Sequence, residues 1–462
     1  MKLATLSALA GLLPAAVHSF GFTSYDNTFI DPQWVLAKNF SDSTKPAQQT
    51  IIQWADQLNQ EGPWSVMNKP FDPPSGDKHD YMSWAPYWWP NCTGAGNTTA
   101  LSDDQIWRTC NYYQRDGEFN PDVRTVNDTG AFDALSNAVL YNALAWVING
   151  SSTYSSHAAS FVKTWFLDAD TAMNPNLNYA QMERGPKGQN GSHTGVLDLK
   201  GMAKIATGLL ILQGGNSPDW TSDLSSQLAT WTTTYIKWLT TSPIALGEAD
   251  APNNHGTYYY NQLAALHLIV NDTQGAQDVV KSFFSKQYMS QINSTGEQPY
   301  EAVRTRPYHY RNYNLAAMLT NAAIGNYTGF DAYSQKTSAG TTIQDALNFA
   351  MTIPANDEPA SELFPNVAAV ASVYGDPDGK YAKFLAGKED DYPAEPWFFW
   401  LQPLSDSGLH VVVNTTGTGT STAAGGGSSS SSSRSSNGAI GTGLGVGTVV
   451  MTLGALLGAI VM

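Results

Sequence analysis

Two short stretches hold most of the chemistry this chain could do: Asn253-Asn254-His255-Gly256-Thr257 and Arg304-Thr305-Arg306-Pro307-Tyr308-His309-Tyr310-Arg311-Asn312-Tyr313. Together they gather amides, imidazoles, guanidinium groups and phenols. Asn254 and His255 could bond a carboxylate as it takes on the charge of an enolate-like intermediate. Arg304, Arg306, His309 and Arg311 add positive or potentially positive groups, and the phenols of Tyr308, Tyr310 and Tyr313 can act as acids where nearby cations lower their pKa. The set suits gripping a sugar carboxylate while the proton beside it is removed. Plainer readings stand beside this one: an N-cap and a satisfied loop histidine for the first stretch, a solvated basic patch for the second. Glycoside hydrolysis needs two carboxyl groups across the scissile bond. Asp133, Glu183, Glu248 and Asp250 are available for an inverting hydrolase, but no spacing pairs them. A wall-bound glycan-binding protein without catalysis is a third reading. No Cys/His spacing suggests a metal, and the chemistry needs no cofactor.

The elements that must position these groups read as helices. Apolar residues recur at three- and four-residue steps over 133–148, 156–168, 197–213, 223–240, 258–270, 312–323, 343–351 and 363–373. Asn149-Gly150 is a helix stop, residues 247–252 read as loop, and Pro307 reads as a break before the helix that starts at Asn312. The first stretch therefore falls at a helix N-terminus, where free N–H groups and the helix dipole favour negative charge. Strand patterns are scarce. Successive helices without a βαβ rhythm predict an all-α architecture, either an α/α toroid with a cleft or an α-solenoid. Residues 81–90 hold Trp84, Tyr87, Trp88 and Trp89 together with the helix breakers Pro86 and Pro90 and read as an aromatic loop. Such rings could bind the C–H faces of sugars or anchor the N-terminal segment in the core. His193, in the polar loop that begins at 174, could join a cleft wall.

Both ends look removable. Residues 1–19 read as a secretory signal peptide, with Val17-His18-Ser19 at the cleavage positions. Residues 20–410 form the expected catalytic domain, and 411–437 a stalk rich in Ser, Gly and Thr. Residues 438–462 have the order of a GPI-attachment propeptide, with attachment near Asn437. The expected place is the outer face of the plasma membrane or the wall, reached through a lipid anchor. A net charge of −15 argues against nucleic acid and against adsorption to anionic membranes. It leaves an acidic polysaccharide as a partner only if positive charge is concentrated locally. Cys92 and Cys110 are the only cysteines and should pair in a secretory compartment. Asn-x-Ser/Thr sequons at Asn39, Asn91, Asn97, Asn127, Asn149, Asn190, Asn271, Asn293, Asn326 and Asn414 suit a glycosylated surface.

Four motifs in order resemble the alginate-lyase family of polysaccharide lyases: Asp80-Tyr81-Met82-Ser83 with Ala85-Pro86-Tyr87-Trp88-Trp89-Pro90, then Arg115-Asp116-Gly117-Glu118 with Asn120-Pro121, then Asn253-Asn254-His255-Gly256-Thr257, then Arg304 to Tyr313. The resemblance covers about residues 68–403. It implies an α/α toroid that cleaves uronic-acid polymers by β-elimination. Asn254 and His255 match the family's active-site amide and imidazole, Arg304 its carboxylate-neutralising arginine, and Tyr310 its catalytic tyrosine. The interval from Arg304 to Tyr310 is one residue shorter than in familiar alginate lyases, so Arg306 could share the arginine's role. The Asn-Asn-His-Gly-Thr form is similar to a branch associated with glucuronan as well as alginate.

Overall fold

A computed structural model describes residues 27–96, 100–388, 392–401, 411–413 and 419–421. Five helices are buried nearly all round: Asp128–Asn149, Met202–Gly214, Asn254–Ile269, Pro307–Tyr327 and Phe364–Tyr374. Outside them lie helices with one apolar face, among them Lys45–Glu61, Ser152–Phe166, Ser222–Thr241 and Thr273–Ser285. An element apolar on every side must be enclosed, and one apolar on a single stripe must cover something. That division makes two concentric layers. Pro396–Trp400 packs on Lys45–Glu61, which packs on Asp128–Asn149, so the last helix returns to the first elements. The ring closes, and the architecture is an α/α toroid rather than an open solenoid. Among the described residues, Asp128–Asn149 alone is long and apolar enough to cross a membrane, and it is mostly buried inside the ring.

Several boundaries differ from the sequence pattern for identifiable reasons. The stretch 197–213 is a 3-10 segment, His193–Leu199, followed by the helix Met202–Gly214. At Gly201 a Cβ would meet Ser136 Oγ at 2.6 Å, so the chain passes too close for another side chain. Residues 243–249 are helical, so the loop before Asn253 is shorter than expected. Pro307 does not interrupt the helix expected from Asn312; it opens it at the first position, where a missing N–H costs nothing. Residues 81–90 are not plain loop. They contain β1 (Met82–Trp84) and β2 (Trp88–Asn91). β2 pairs antiparallel with β3 (Asn111–Gln114), and β1 pairs parallel with β4 (Tyr179–Met182), which lies in the expected polar loop.

These two small ladders build a wall over one mouth of the ring. The Cys92–Cys110 disulfide closes the end of the β2–β3 ladder. Asp198, fully buried, accepts hydrogen bonds from Tyr81 Oη at 3.1 Å, Thr129 Oγ1 at 3.2 Å and Gln181 Nε2 at 2.8 Å, and from Ser83 Oγ. The Tyr81-x-Ser83 motif thus joins the wall to the helical ring through one carboxylate.

Val411–Val413 and Gly419–Ser421 form an antiparallel ladder inside the segment whose composition suggests a stalk. Residues 1–19, Asn97, Asn414, Asn437 and 438–462 lie outside the described residues. Every other sequon asparagine is exposed.

Candidate active site

Asn253 caps the Asn254–Ile269 helix through its side-chain oxygen, which accepts from His255 N at 3.3 Å. Asn254 and His255 therefore sit in the first turn. Gly256 follows because a Cβ there would meet Ala251 O at 2.1 Å. In the neighbouring inner helix, Pro307–Tyr327, the Glu358 carboxylate accepts the free N–H groups of Tyr308 at 3.1 Å and His309 at 2.8 Å. That helix start is thereby fixed, and with it Tyr310 in its first turn.

The two helix starts and the strand wall enclose a cleft of about 270 Å³. Tyr87, Trp88, His193, Asn254, His255, Arg304 and Tyr310 all line it. Glu248, fully buried, holds both imidazoles: His193 Nδ1 and His255 Nδ1 each lie 2.6 Å from one of its oxygens. A carboxylate only accepts, so Nδ1 carries the proton and Nε2 is the nitrogen left for substrate. Burial raises the Glu248 carboxyl, but the two histidines together outweigh burial and hold it below its ordinary value. The hydrogen bond to Glu248 raises the pKa of His193.

A second buried carboxylate, Glu301, accepts from Asn254 N at 2.7 Å and from Asn254 Nδ2 at 2.8 Å, which fixes the amide. Burial raises the Glu301 carboxyl, with the Asn254 bonds and the charge of Arg304 opposing. The guanidinium carbon of Arg304 lies 3.8 Å from the centre of the Tyr310 ring. Among the described residues Arg304 has no carboxylate at ion-pair distance, which leaves its donors for an anionic ligand. Tyr310 Oη lies 3.1 Å from Tyr87 Oη. Burial pushes the Tyr310 hydroxyl well above its ordinary value, Tyr87 adds to this, and Arg304 opposes it only in part. The net direction is opposite to that expected of a phenol acidified by nearby cations, because burial outweighs Arg304.

The structure separates the remaining residues proposed from sequence. Arg306 faces Glu358 at 3.9 Å and Glu362 at 3.7 Å, outside the cleft lining. His309 is fully buried behind Tyr310, stacked on Tyr313 with ring centres 5.6 Å apart and 3.3 Å from Glu362. Neither lines the cleft. Trp84 is 1% exposed and packs between Trp107 and the Arg184 guanidinium, so it belongs to a small core beneath the wall. Trp89 donates to Glu118 O at 3.0 Å under Arg115 and also lies outside the lining. Of the four aromatic candidates, Tyr87 and Trp88 reach the cleft.

Sequence reasoning missed the two buried carboxylates. Glu248 was considered only as a hydrolytic acid, and its seven-residue spacing from His255 crosses a helix boundary, so no periodic signal marks it. Glu301 precedes Arg304 by one helical turn, a weak signal that composition alone does not raise.

The profile of the alginate lyase family matches residues 65–360. An alginate lyase from Bacteroides ovatus is similar over 80% of this chain and 97% of its own, with 28% identity and a TM-score of 0.69. Alginate lyase A1-III from Sphingomonas species A1 is similar over 76% of this chain and 89% of its own, with 14% identity and a TM-score of 0.48. No curated protein sequence matches the chain.

Proposed function

The chain belongs to the alginate lyase family and is a polysaccharide lyase, and we propose on that premise that its cleft cleaves a uronic-acid polymer by β-elimination. The observation that carries the reading is the convergence of Asn254, two imidazoles on one buried carboxylate, an arginine that makes no ion pair among the described residues and a tyrosine hydroxyl on a single cleft. Loss of the C5 proton of a uronate places charge on its carboxylate. Arg304 and Asn254 oppose that charge, with His193 as a further donor when protonated. Preorganised donors of this kind are typically worth about 3–4 kcal/mol each.

Tyr310 delivers its proton to the departing O4. In D-mannuronate or D-glucuronate the C5 hydrogen and O4 leave from the same side, so one tyrosine can serve both steps. Its phenolate takes the C5 proton and gives that same proton to O4, while the Tyr87 hydroxyl, 3.1 Å away, donates a hydrogen bond to the phenolate oxygen. In L-guluronate the two leave from opposite sides, and His255 Nε2 is the base. Alginate and glucuronan are the first polymers to assay, by the ultraviolet absorbance of the unsaturated uronate. Absorbance that rises with wild-type protein and stays flat with Tyr310→Phe supports the assignment. Binding of the polymers with no unsaturated product contradicts it.

The same reading places the enzyme outside the cell, anchored through a glycolipid. It draws on the exposed sequon asparagines and the disulfide, together with the small-residue, spacer and apolar order of 437–462. Release from membranes by a phosphatidylinositol-specific phospholipase tests it.

A further inference from the structure

Arg184, two residues beyond β4, buries its guanidinium inside the strand wall, where its side chain is 2% exposed. The backbone that carries it is held in place. Gly185, at φ 114°, donates to Trp107 O at 2.8 Å, and a Cβ on it would lie 2.9 Å from Cys110 O. From there the guanidinium meets every other part of the wall. It lies 5.0 Å from the Trp84 ring of β1 and 4.5 Å from the Tyr112 ring of β3. Nη1 meets Asp122 Oδ2 at 2.9 Å, in the 3-10 segment Pro121–Thr125. Nη2 donates to Trp88 O at 3.2 Å, in β2. Asn120 Nδ2 donates to the same carbonyl at 2.9 Å, and Asn120 Oδ1 accepts from Asp122 N at 3.1 Å. Two side chains therefore grip Trp88 O, and Asp122 ties them together.

Such an arrangement is a poor way to gain stability. A guanidinium taken out of water needs its donors met to offset desolvation, yet Arg184 Nε has no hydrogen-bond partner among the described residues. Burial also raises the Asp122 carboxyl, although Arg184 pulls it down. A well-packed apolar side chain would fill the same space at less cost, but it would bring no donor for Trp88 O. Along the β2–β3 ladder Pro90 pairs with Tyr112, and Trp88 with Gln114. The two pairs stand two residues apart and so share a face. The first meets Arg184 through Tyr112, and the second lines the cleft.

Resting on the lyase reading, we propose that Arg184, together with Asn120, is a positioning residue that sets Trp88 in the cleft and so governs how firmly the polymer is held. It acts through Trp88, while the groups that move protons and oppose charge stand on the helix side. Arg184→Lys keeps the charge beside Asp122, but one ammonium lacks the planar fork that reaches both Asp122 and Trp88 O. Arg184→Met combined with Asp122→Asn removes the pair together and strands no charge. In each, KM for a polyuronate should rise several-fold, to the level of Trp88→Ala, while kcat stays within about twofold of wild type. Once residue 88 is alanine, adding Arg184→Lys should raise KM no further, because both changes remove the same contact. A purely structural role would lower Tm and leave KM of the folded variants unchanged, and that result overturns the proposal. KM effects that multiply in the double variant overturn it too, as does a fall in kcat as large as the rise in KM. Polymer retention on immobilised Tyr310→Phe protein, with and without Arg184→Lys, reads the same contact without turnover. If no protein forms unsaturated product, the lyase reading fails; weaker retention with Arg184→Lys still supports the positioning role, and equal retention overturns it.

Discussion

The two walls of the cleft are held by different means. On the helix side, Asn254, His193 and His255 are fixed from behind by Glu301 and Glu248, and the helix start bearing Tyr310 is capped by Glu358. On the strand side, Tyr87 and Trp88 are carried by short backbone ladders, a disulfide and a small aromatic core around Trp84 and Trp107. The helix wall uses buried charge to aim charged and polar groups. The strand wall uses backbone pairing and ring packing to present aromatic surface. Buried carboxylates are costly to desolvate unless hydrogen-bonded, so their presence behind the helix wall marks where orientation matters most. Damage to the first wall should show in turnover, and damage to the second in stability or substrate affinity.

The sharpest break of that contrast is Tyr310→Phe. It keeps the ring under Arg304 but removes the transferable proton, so kcat should fall by about 10²–10⁴-fold with melting temperature nearly unchanged. Steady-state kinetics beside a thermal melt checks this. On the other wall, Trp84→Ala should cost about 3–5 kcal/mol of stability through the cavity left against Trp107. Denaturant unfolding measures it, and a stable protein with lost polymer binding would show instead that Trp84 touches substrate.

Glu248→Gln should come next. It removes the charge that holds both Nδ1–H groups, a change worth about 1.5–3 kcal/mol for hydrogen bonds to a charged group, and it should lower kcat more than it raises KM. It should also change the pH dependence of stability. The Glu248 pKa is depressed in the fold, so its contribution is present above the ordinary value near 4.5 and is lost as pH falls through the folded value. The His193 pKa is raised, so its contribution is complete below the ordinary value near 6.5 and is lost as pH rises through the folded value. The wild type should therefore gain most from this contact between these limits, and the variant should lose that advantage. Thermal melts across pH decide it. The smallest effect should come from Trp88→Ala, with KM raised several-fold and kcat nearly kept.

The same contrast explains how much could be read from sequence. The helix wall was legible in its first layer because Asn254-His255 and Arg304 to Tyr310 are unusual types placed beside helix starts, and the all-α architecture followed from long apolar-periodic segments, which left toroid and solenoid open. Its second layer was not legible, since Glu248 and Glu301 look like ordinary acidic residues until the fold turns them inward. The strand wall misled in the opposite direction. Trp84, Trp88 and Trp89 are alike in composition, but Trp84 lies on β1, buried at all three positions, while along β2 Trp88 lines the cleft and Trp89 does not. Arg306 and His309 lie outside the cleft lining for two reasons: Arg306 precedes the helix and faces Glu358 and Glu362, while helix geometry turns His309 inward and Tyr310 and Tyr313 toward the cleft.

The most direct test of the central claim is the mass of the oligosaccharides released from a polyuronate by wild-type protein. β-Elimination adds no water, so each cleavage should leave a product with an unsaturated, ultraviolet-absorbing terminal uronate, one water lighter than the saturated oligosaccharide. Such products from wild type and none from Tyr310→Phe are the expected result. Saturated products carrying the added water would contradict it.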